Sequence, residues 1–425
     1  MKNILYTLTL IWAACLLGSC KNEVEDYFDQ TASERMEQEV VKYRELLVKP
    51  QHGWIMEYYP GGINQAFGGY AITVSFTTDG YAVFRSVLED DVSKSVSSFY
   101  ALNKDMGPTL NFDTYNELFH YFSNPDTSNG DGAGKGMLGD YEFIFDSGTE
   151  NEIIMTGKKH KSTIRMYALQ EPATEYLKKA KAEMESYFMI AAVNGLKGTF
   201  AGEPAEAEFI TSQSYMLAQG KESTKFSFMF TDKGIKLYAP IELNGKKVEN
   251  LSWDKQKRAF TTPDGQTNLA LVYDPKGLRE DQLLGNYVLH YENGKQIDVS
   301  IKKRNNGNIV MEGLPFNVKL SYNRRKGALE LNAQQLRSNP EVWLAIWARK
   351  SSGGYLIWDK GYGLVTEWNE KEGDEFTLKW VDNGYEWFTK GERNYADSFI
   401  LWEVGKGVYN GYGDARFYDL FLTKK

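Results

Sequence analysis

A chain of 425 residues with a formal net charge of −8 holds little attraction for nucleic acid or anionic lipid headgroups, so nucleic acid is not an expected partner. Its length allows two or three domains, each with a substantial apolar core. Both cysteines, Cys15 and Cys20, lie close to the start, which leaves the body of the chain without a disulfide framework, a cysteine nucleophile or a thiolate metal site.

The first twenty residues read as an export signal. Lys2 precedes a largely apolar run from Ile4 to Leu17, followed by Gly18-Ser19-Cys20. A membrane-spanning helix needs about 20 apolar residues, so this shorter run is expected to be a signal peptide, residues 1–19, that is cut away. Leu17-Gly18-Ser19-Cys20 matches the bacterial lipobox, in which small residues fit the peptidase cleft and the cysteine thiol takes up diacylglycerol before cleavage. Each buried acyl carbon contributes about 0.8 kcal/mol and one chain anchors only marginally, so the two or three chains of a lipoprotein hold permanently. The expectation is a body lipid-anchored to the outer membrane through Cys20 and facing the cell exterior. Residues 20–30 form the tether. Its acidic Lys21-Asn22-Glu23-Val24-Glu25-Asp26 resembles the signal that sends lipoproteins of gut Bacteroidetes to the surface, and it equally suits a plain solvated linker.

Residues 31–195 are expected to form an α+β domain with an antiparallel sheet and two main helices. Met36, Val40, Tyr43 and Leu47 recur at helical spacing, Thr31 with Glu34 fits a capping box, and Pro50 ends the helix. Strands follow at Trp54–Tyr59, Gly69–Thr77 and Tyr81–Val87, the last two joined by an Asp79-Gly80 turn. A further strand is expected near Ser97–Leu102. After it comes a short helix opened by Asp113 and carrying Tyr115, Leu118, Phe119 and Phe122. The polar loop Asn124–Gly139 leads to strands around Tyr141–Phe145, Asn151–Gly157 and Thr163–Leu169. A second helix after Pro172 has Tyr176, Ala180, Met184 and Tyr187 on one face and is expected to close this domain.

From residue 196 to residue 425 the helical period disappears. Short alternating strands are punctuated by Asn244-Gly245, Asp264-Gly265, Asn293-Gly294 and Asn306-Gly307. This predicts a mainly antiparallel β region, barrel-like or sandwich-like, in one or two units (196–278 and 279–425). Leu196-Lys197-Gly198-Thr199-Phe200 and Leu283-Leu284-Gly285-Asn286-Tyr287 share a leucine, a glycine and an aromatic at equal spacing, which suits the first strands of two related units and also chance.

Three segments carry a resemblance: Gly53-Trp54-Ile55-Met56-Glu57-Tyr58-Tyr59-Pro60, Gly68-Gly69-Tyr70-Ala71-Ile72, and Asn103-Lys104-Asp105-Met106-Gly107-Pro108 running on to Tyr115. Together they resemble a family of surface lipoproteins of unknown function from gut Bacteroidetes. The resemblance implies a setting beside outer-membrane transporters and companion lipoproteins of Sus-type nutrient-uptake loci. It supplies no catalytic residues.

Chemistry-bearing motifs are sparse. His52, His120, His160 and His290 are scattered, without metal-ligand spacing, and no cofactor is implied. The run Gly130–Gly136 departs from a phosphate loop: Asn129 stands where the first glycine belongs and Gly136 replaces the Ser or Thr that would hold magnesium. Asp126–Asp131 misses the EF-hand register, because the loop glycine would fall on Asp131. No Gly-x-Ser-x-Gly elbow is present. A glycosidase needs only two carboxyl groups about 5 or 6.5–9.5 Å apart, a relation that spacing in the chain does not reveal among 57 acidic residues.

One enrichment stands out. Trp343, Trp347, Trp358, Trp368, Trp380, Trp387 and Trp402 crowd the last third, and aromatic faces stack on sugars just as they fill barrel cores. Gly353-Gly354, Gly361 and Gly363 flank Tyr355, Trp358 and Tyr362, so those three, with Trp368, are the candidate ligand-binding residues. The leading expectation is a non-enzymatic surface lipoprotein that binds a ligand, such as a glycan, or a partner in nutrient acquisition. The alternatives are a surface hydrolase using an unrecognised carboxylate pair and a structural or adhesive surface protein. Replacing the acylated thiol gives the first test. Cys20→Ala is expected to abolish incorporation of radiolabelled palmitate in the native cell, and a variant that still takes up label would refute the anchor.

Overall fold

The computed structural model describes residues 30–125, 136–243, 245–304, 308–350, 353–358, 361–370, 376–385, 388–389, 391–409 and 416–425. The signal peptide, Cys20, the tether up to Asp29, Asp126–Asp131, most of the glycine run, Asn244, Asn306-Gly307 and Trp387 lie outside the described residues. The described chain is β-rich and antiparallel, with three α-helices, none of them long and apolar enough to cross a membrane.

Helix α1 (Ala32–Val48) begins at the expected capping box: Thr31 Oγ1 accepts the Glu34 N–H at 3.2 Å and the Glu34 carboxylate accepts the Thr31 N–H at 2.9 Å. Its buried face ends in Tyr43, stacked on Phe145 at 3.9 Å, and Leu47, whose carbonyl accepts the Trp54 indole N–H at 2.8 Å. The helix thereby packs into the core of the first sheet.

That sheet is a meander in which Trp54–Tyr58 pairs with both Tyr70–Phe76 and Thr163–Ala168. Its two edges are Val96–Phe99 and Ala101–Lys104, separated by Tyr100 alone. One passage of chain therefore forms both edges, and the sheet curls until it nearly closes. The single strand expected near Ser97–Leu102 is broken because Tyr100 is tied elsewhere: its N–H donates to Gly80 O and its hydroxyl to Thr77 O, both at 3.0 Å. Phenyl rings from across the curl meet inside, with Phe84 against Phe112 at 5.0 Å and against Phe119 at 4.9 Å.

The short helix expected at Asp113 is a 3-10 turn, His120–Ser123. Fully buried Asn116 decides this locally. Its Oδ1 accepts the N–H groups of Leu118 (3.1 Å) and Phe119 (3.2 Å), while its Nδ2 donates to Val96 O (3.2 Å) and Ser98 Oγ (3.3 Å). A side chain that satisfies these backbone donors caps the turn that begins at residue 117, so the helical stretch opens at Asn116 and not at Asp113. Asn116 N–H donates to His120 Nδ1 at 3.0 Å, and burial holds this imidazole below its ordinary pKa.

The second unit is a closed eight-stranded barrel, sealed where Val193–Phe200 pairs with Asn268–Tyr273. Aromatic side chains fill it, as they can in a barrel of this size. Helix α2 (Ala173–Phe188) does not simply close the first domain. Leu177 and Ala180 pack in a cluster with Ile55, Tyr59 and Ala71 of the first sheet and Met229 of the barrel. Tyr187, in the last turn, is fully buried inside the barrel core among Phe228, Phe230, Trp253 and Phe260. Its hydroxyl donates to Ser212 O at 2.9 Å and lies 2.6 Å from the Tyr215 hydroxyl. The amphipathic pattern reveals an apolar stripe but not that two neighbours share it.

The third unit is another closed eight-stranded barrel, and the two barrels take the numbers of their units as the second and third barrels; it is sealed where Gly285–Tyr291 pairs with Phe421–Lys424, and α3 (Glu280–Leu283) delivers Leu283 to its core. Phe200 and Tyr287, the aromatics of the repeated leucine-glycine-aromatic pattern, are buried in the first strands of the two barrels. Gly198, at φ +153°, faces the closing strand so closely that a Cβ would stand 2.0 Å from Asn268 O. Each of the three units thus opens with a helix that feeds apolar side chains into its core.

Two buried polar knots join the units. Between the first sheet and the second barrel, the Glu57 carboxylate meets Lys236 Nζ at 2.7 Å, Arg165 donates to Tyr238 O, and Tyr59 donates to Lys236 O. Burial raises the Glu57 carboxyl above the ordinary range against the pull of Lys236. Between the second and third barrels, Arg324 is 7 % exposed. Its guanidinium donates to Tyr187 O at 2.9 Å, Ile190 O at 3.3 Å and Ser212 O at 3.4 Å, and lies 4.1 Å from the centre of the Tyr187 ring.

Arg324→Ala removes three charge-assisted bonds and a buried cation–π contact, and is expected to cost about 3 kcal/mol. The measurement is urea unfolding, and an unchanged midpoint would contradict the junction's role. The His120 imidazole also makes stability depend on pH. A folded-state pKa held below the ordinary value, about 6.5, means the unfolded chain takes up a proton first as pH falls, so stability is complete above that value and declines below it. Urea midpoints between pH 7 and pH 5 should fall more steeply for the wild type than for His120→Gln; equal slopes would refute this.

Candidate functional site

The third barrel interrupts its meander twice, after Ala328–Asn332 and after Phe376–Asp382. The two excursions do not pair with the barrel strands but with each other, forming a separate six-stranded sheet. Its spine is Glu341–Lys350 paired along its length with Tyr395–Glu403, and Gly353–Ile357 adds to one side of the spine.

Alternation along the spine sorts the side chains. Val342, Leu344 and Ile346 are completely buried; the last two, with Phe399 and Leu401, belong to the apolar core of the barrel. Trp343 and Trp347 fall on the opposite, outer face, and Trp343 stands directly across from Trp402. Trp358 follows the Ile346–Ile357 pair, which sets it one step on and opposite Ala345 on that outer face. The Trp358 ring is edge-on to Trp343 at 6.1 Å and to Trp402 at 6.0 Å. All three indoles are partly exposed.

The surroundings hold this cluster in place. Trp343 Nε1 donates to Glu341 Oε1 at 2.7 Å, and Gln335 Nε2 donates to the same oxygen at 3.2 Å. Trp347 lies so close over Gly354 that a Cβ there would be 2.5 Å from its Nε1, which explains the small residue. Arg416 stands 5.1 Å over the Trp347 ring. It is aimed by Nη2, which donates to both Asp397 carboxylate oxygens (2.7 and 2.9 Å), and by Nε, which donates to Ser398 Oγ at 2.7 Å. The arrangement offers indole surface at the centre and hydrogen-bonding groups at the rim, with the guanidinium charge already compensated. Such a surface is suited to recognition by stacking.

The four residues singled out in the sequence have different settings. Trp358 belongs to the indole cluster. Tyr355 is partly buried and its hydroxyl donates to Asn394 Oδ1 at 3.0 Å. Tyr362 packs edge-on against Tyr385 at 4.7 Å beside Gly361. Trp368 packs against the barrel core, where Trp380 is also buried. Trp343 and Trp402 belong with Trp358, and the signal for Trp343 lay in the alternation Val342-Trp343-Leu344-Ala345-Ile346-Trp347, which places both its indoles on one face. Among the described residues, no three His, Cys, Asp or Glu side chains converge as a metal site.

No curated protein and no solved structure matches the chain. Residues 263–402, from the end of the second barrel through most of the added sheet, match a family described as a domain of unknown function (DUF4987). Residues 24–255, more than half of the chain, match another so described (DUF4302), and the chain belongs to this family.

Proposed function

We propose that this chain is a non-enzymatic, lipid-anchored outer-membrane protein that binds a neutral glycan on the outer face of the added sheet. The observation that carries the reading is the cluster of Trp343, Trp358 and Trp402 on strands that the barrel does not need for closure. Partly exposed indoles forgo part of the free energy of burial, and pyranose rings present flat C–H faces that recover it while their hydroxyl edges meet polar groups at the rim. The lipobox ending in Cys20 supports surface attachment. The resemblance to lipoproteins of nutrient-uptake loci supports a place beside an outer-membrane transporter and its companion lipoproteins.

Loss of the Trp358 indole is expected to weaken glycan binding by about 1.4 kcal/mol, or tenfold, with folding intact. Intrinsic fluorescence titration with neutral oligosaccharides measures this. A Trp358→Ala variant that binds like the wild type would remove the added sheet from the account.

A further inference from the structure

A second aromatic surface lies on the first sheet, and we infer that it is an independent stacking site for a neutral saccharide chain. Tyr115, His120 and Tyr141 stand in a row, with ring centroids 5.5 and 5.4 Å apart and successive planes inclined by 33° and 35°. Tyr115 is 70 % exposed and Tyr141 is 42 % exposed. Phe99, 49 % exposed, adjoins the row: its N–H donates to Thr114 Oγ1 at 2.7 Å and its ring packs on Tyr81 at 4.2 Å.

Exposed rings on a floppy loop would carry little weight, but this loop is clamped. Asn116, fully buried, bonds to Val96 O and Ser98 Oγ on one side and to the N–H groups of Leu118 and Phe119 on the other, and its own N–H holds the His120 ring. The row is ordered before any ligand arrives, which lowers the entropy lost on binding. Tyr141 also lines a cleft of about 560 Å³ with Glu142, Lys158, Lys159 and His160, so hydroxyl partners adjoin the stacking faces. Lys158 pairs with Asp105 at 2.8 Å and Glu142 at 3.0 Å, so one cation answers two carboxylates and the trio keeps a net negative charge, which disfavours an anionic saccharide. The class of ligand rests on the reading proposed above; the site itself does not.

The test is affinity electrophoresis of the mature chain in gels containing soluble starch, xylan, mannan or dextran. It compares the wild type, Trp358→Ala, Tyr115→Ala/Tyr141→Ala and the triple variant. The expected result is retardation of the wild type by at least one polysaccharide, partial loss in each of the first two variants (about tenfold in apparent affinity for the tyrosine pair), and complete loss in the triple variant. Tyr115→Phe/Tyr141→Phe should keep most of the retardation, because the rings remain. If the tyrosine pair matters in no background, or if Trp358→Ala alone abolishes all retardation, the second site is refuted, and the added sheet stands only where Trp358→Ala weakens retardation. If the tyrosine pair alone abolishes all retardation, the second site stands and the added sheet does not. A wild type that migrates freely in all four gels overturns both.

Discussion

Much of the arrangement turns on one side chain at the end of a helix. Tyr187 fills the core of the second barrel with its ring, ties its hydroxyl to Ser212 and Tyr215, and gives its backbone carbonyl to Arg324 of the third barrel. The guanidinium then lies on the same ring. A buried cation is costly unless its donors are satisfied, and here both terminal nitrogens donate to carbonyls from the helix end and the second barrel, while Nε is left without a partner. The third barrel is thereby oriented on the second, just as the Glu57–Lys236 pair orients the second barrel on the first sheet.

Closure has a consequence for where recognition can reside. A barrel that pairs its last strand with its first has no free edge, and its interior here is occupied by side chains. Binding groups are then left to excursions from the strands and to loops at the rims. Both proposed sites follow that pattern: the indoles stand on a sheet built from two insertions in the third barrel, and Tyr115 and His120 stand on a loop of the first sheet that Asn116 locks down, with Tyr141 beside them. Rigidity is common to both, since one rests on a buried apolar face and the other on a fully bonded amide.

What the sequence disclosed is mostly local. The capping box of Thr31 and Glu34, the stop at Pro50, the Asp79-Gly80 turn and the alternation of Tyr70–Phe76 depend on neighbours a few residues away, and all are visible in the chain. Asn293 and Gly294 both have positive φ, as a tight hairpin requires. What it concealed is non-local. The break at Tyr100 depends on bonds to Thr77 and Gly80, and the double role of α2 depends on a barrel formed after it. The capping of the 116–119 turn by Asn116 was hidden for another reason, because Asp113 offered an equally plausible start. Tryptophan enrichment marked the last third of the chain, but only strand register separates Trp380 in the core from Trp343, Trp358 and Trp402 outside it.

The outer face of the added sheet as a binding surface is open to a single spectroscopic test. It is tested most directly by following the indole N–H resonances in a ¹⁵N-labelled chain during titration with a neutral oligosaccharide. Binding on that face should move the signals of Trp343, Trp358 and Trp402 together with ligand concentration while those of the buried Trp54, Trp253 and Trp380 stay in place. Saturable binding that leaves the three outer indoles unshifted would contradict it.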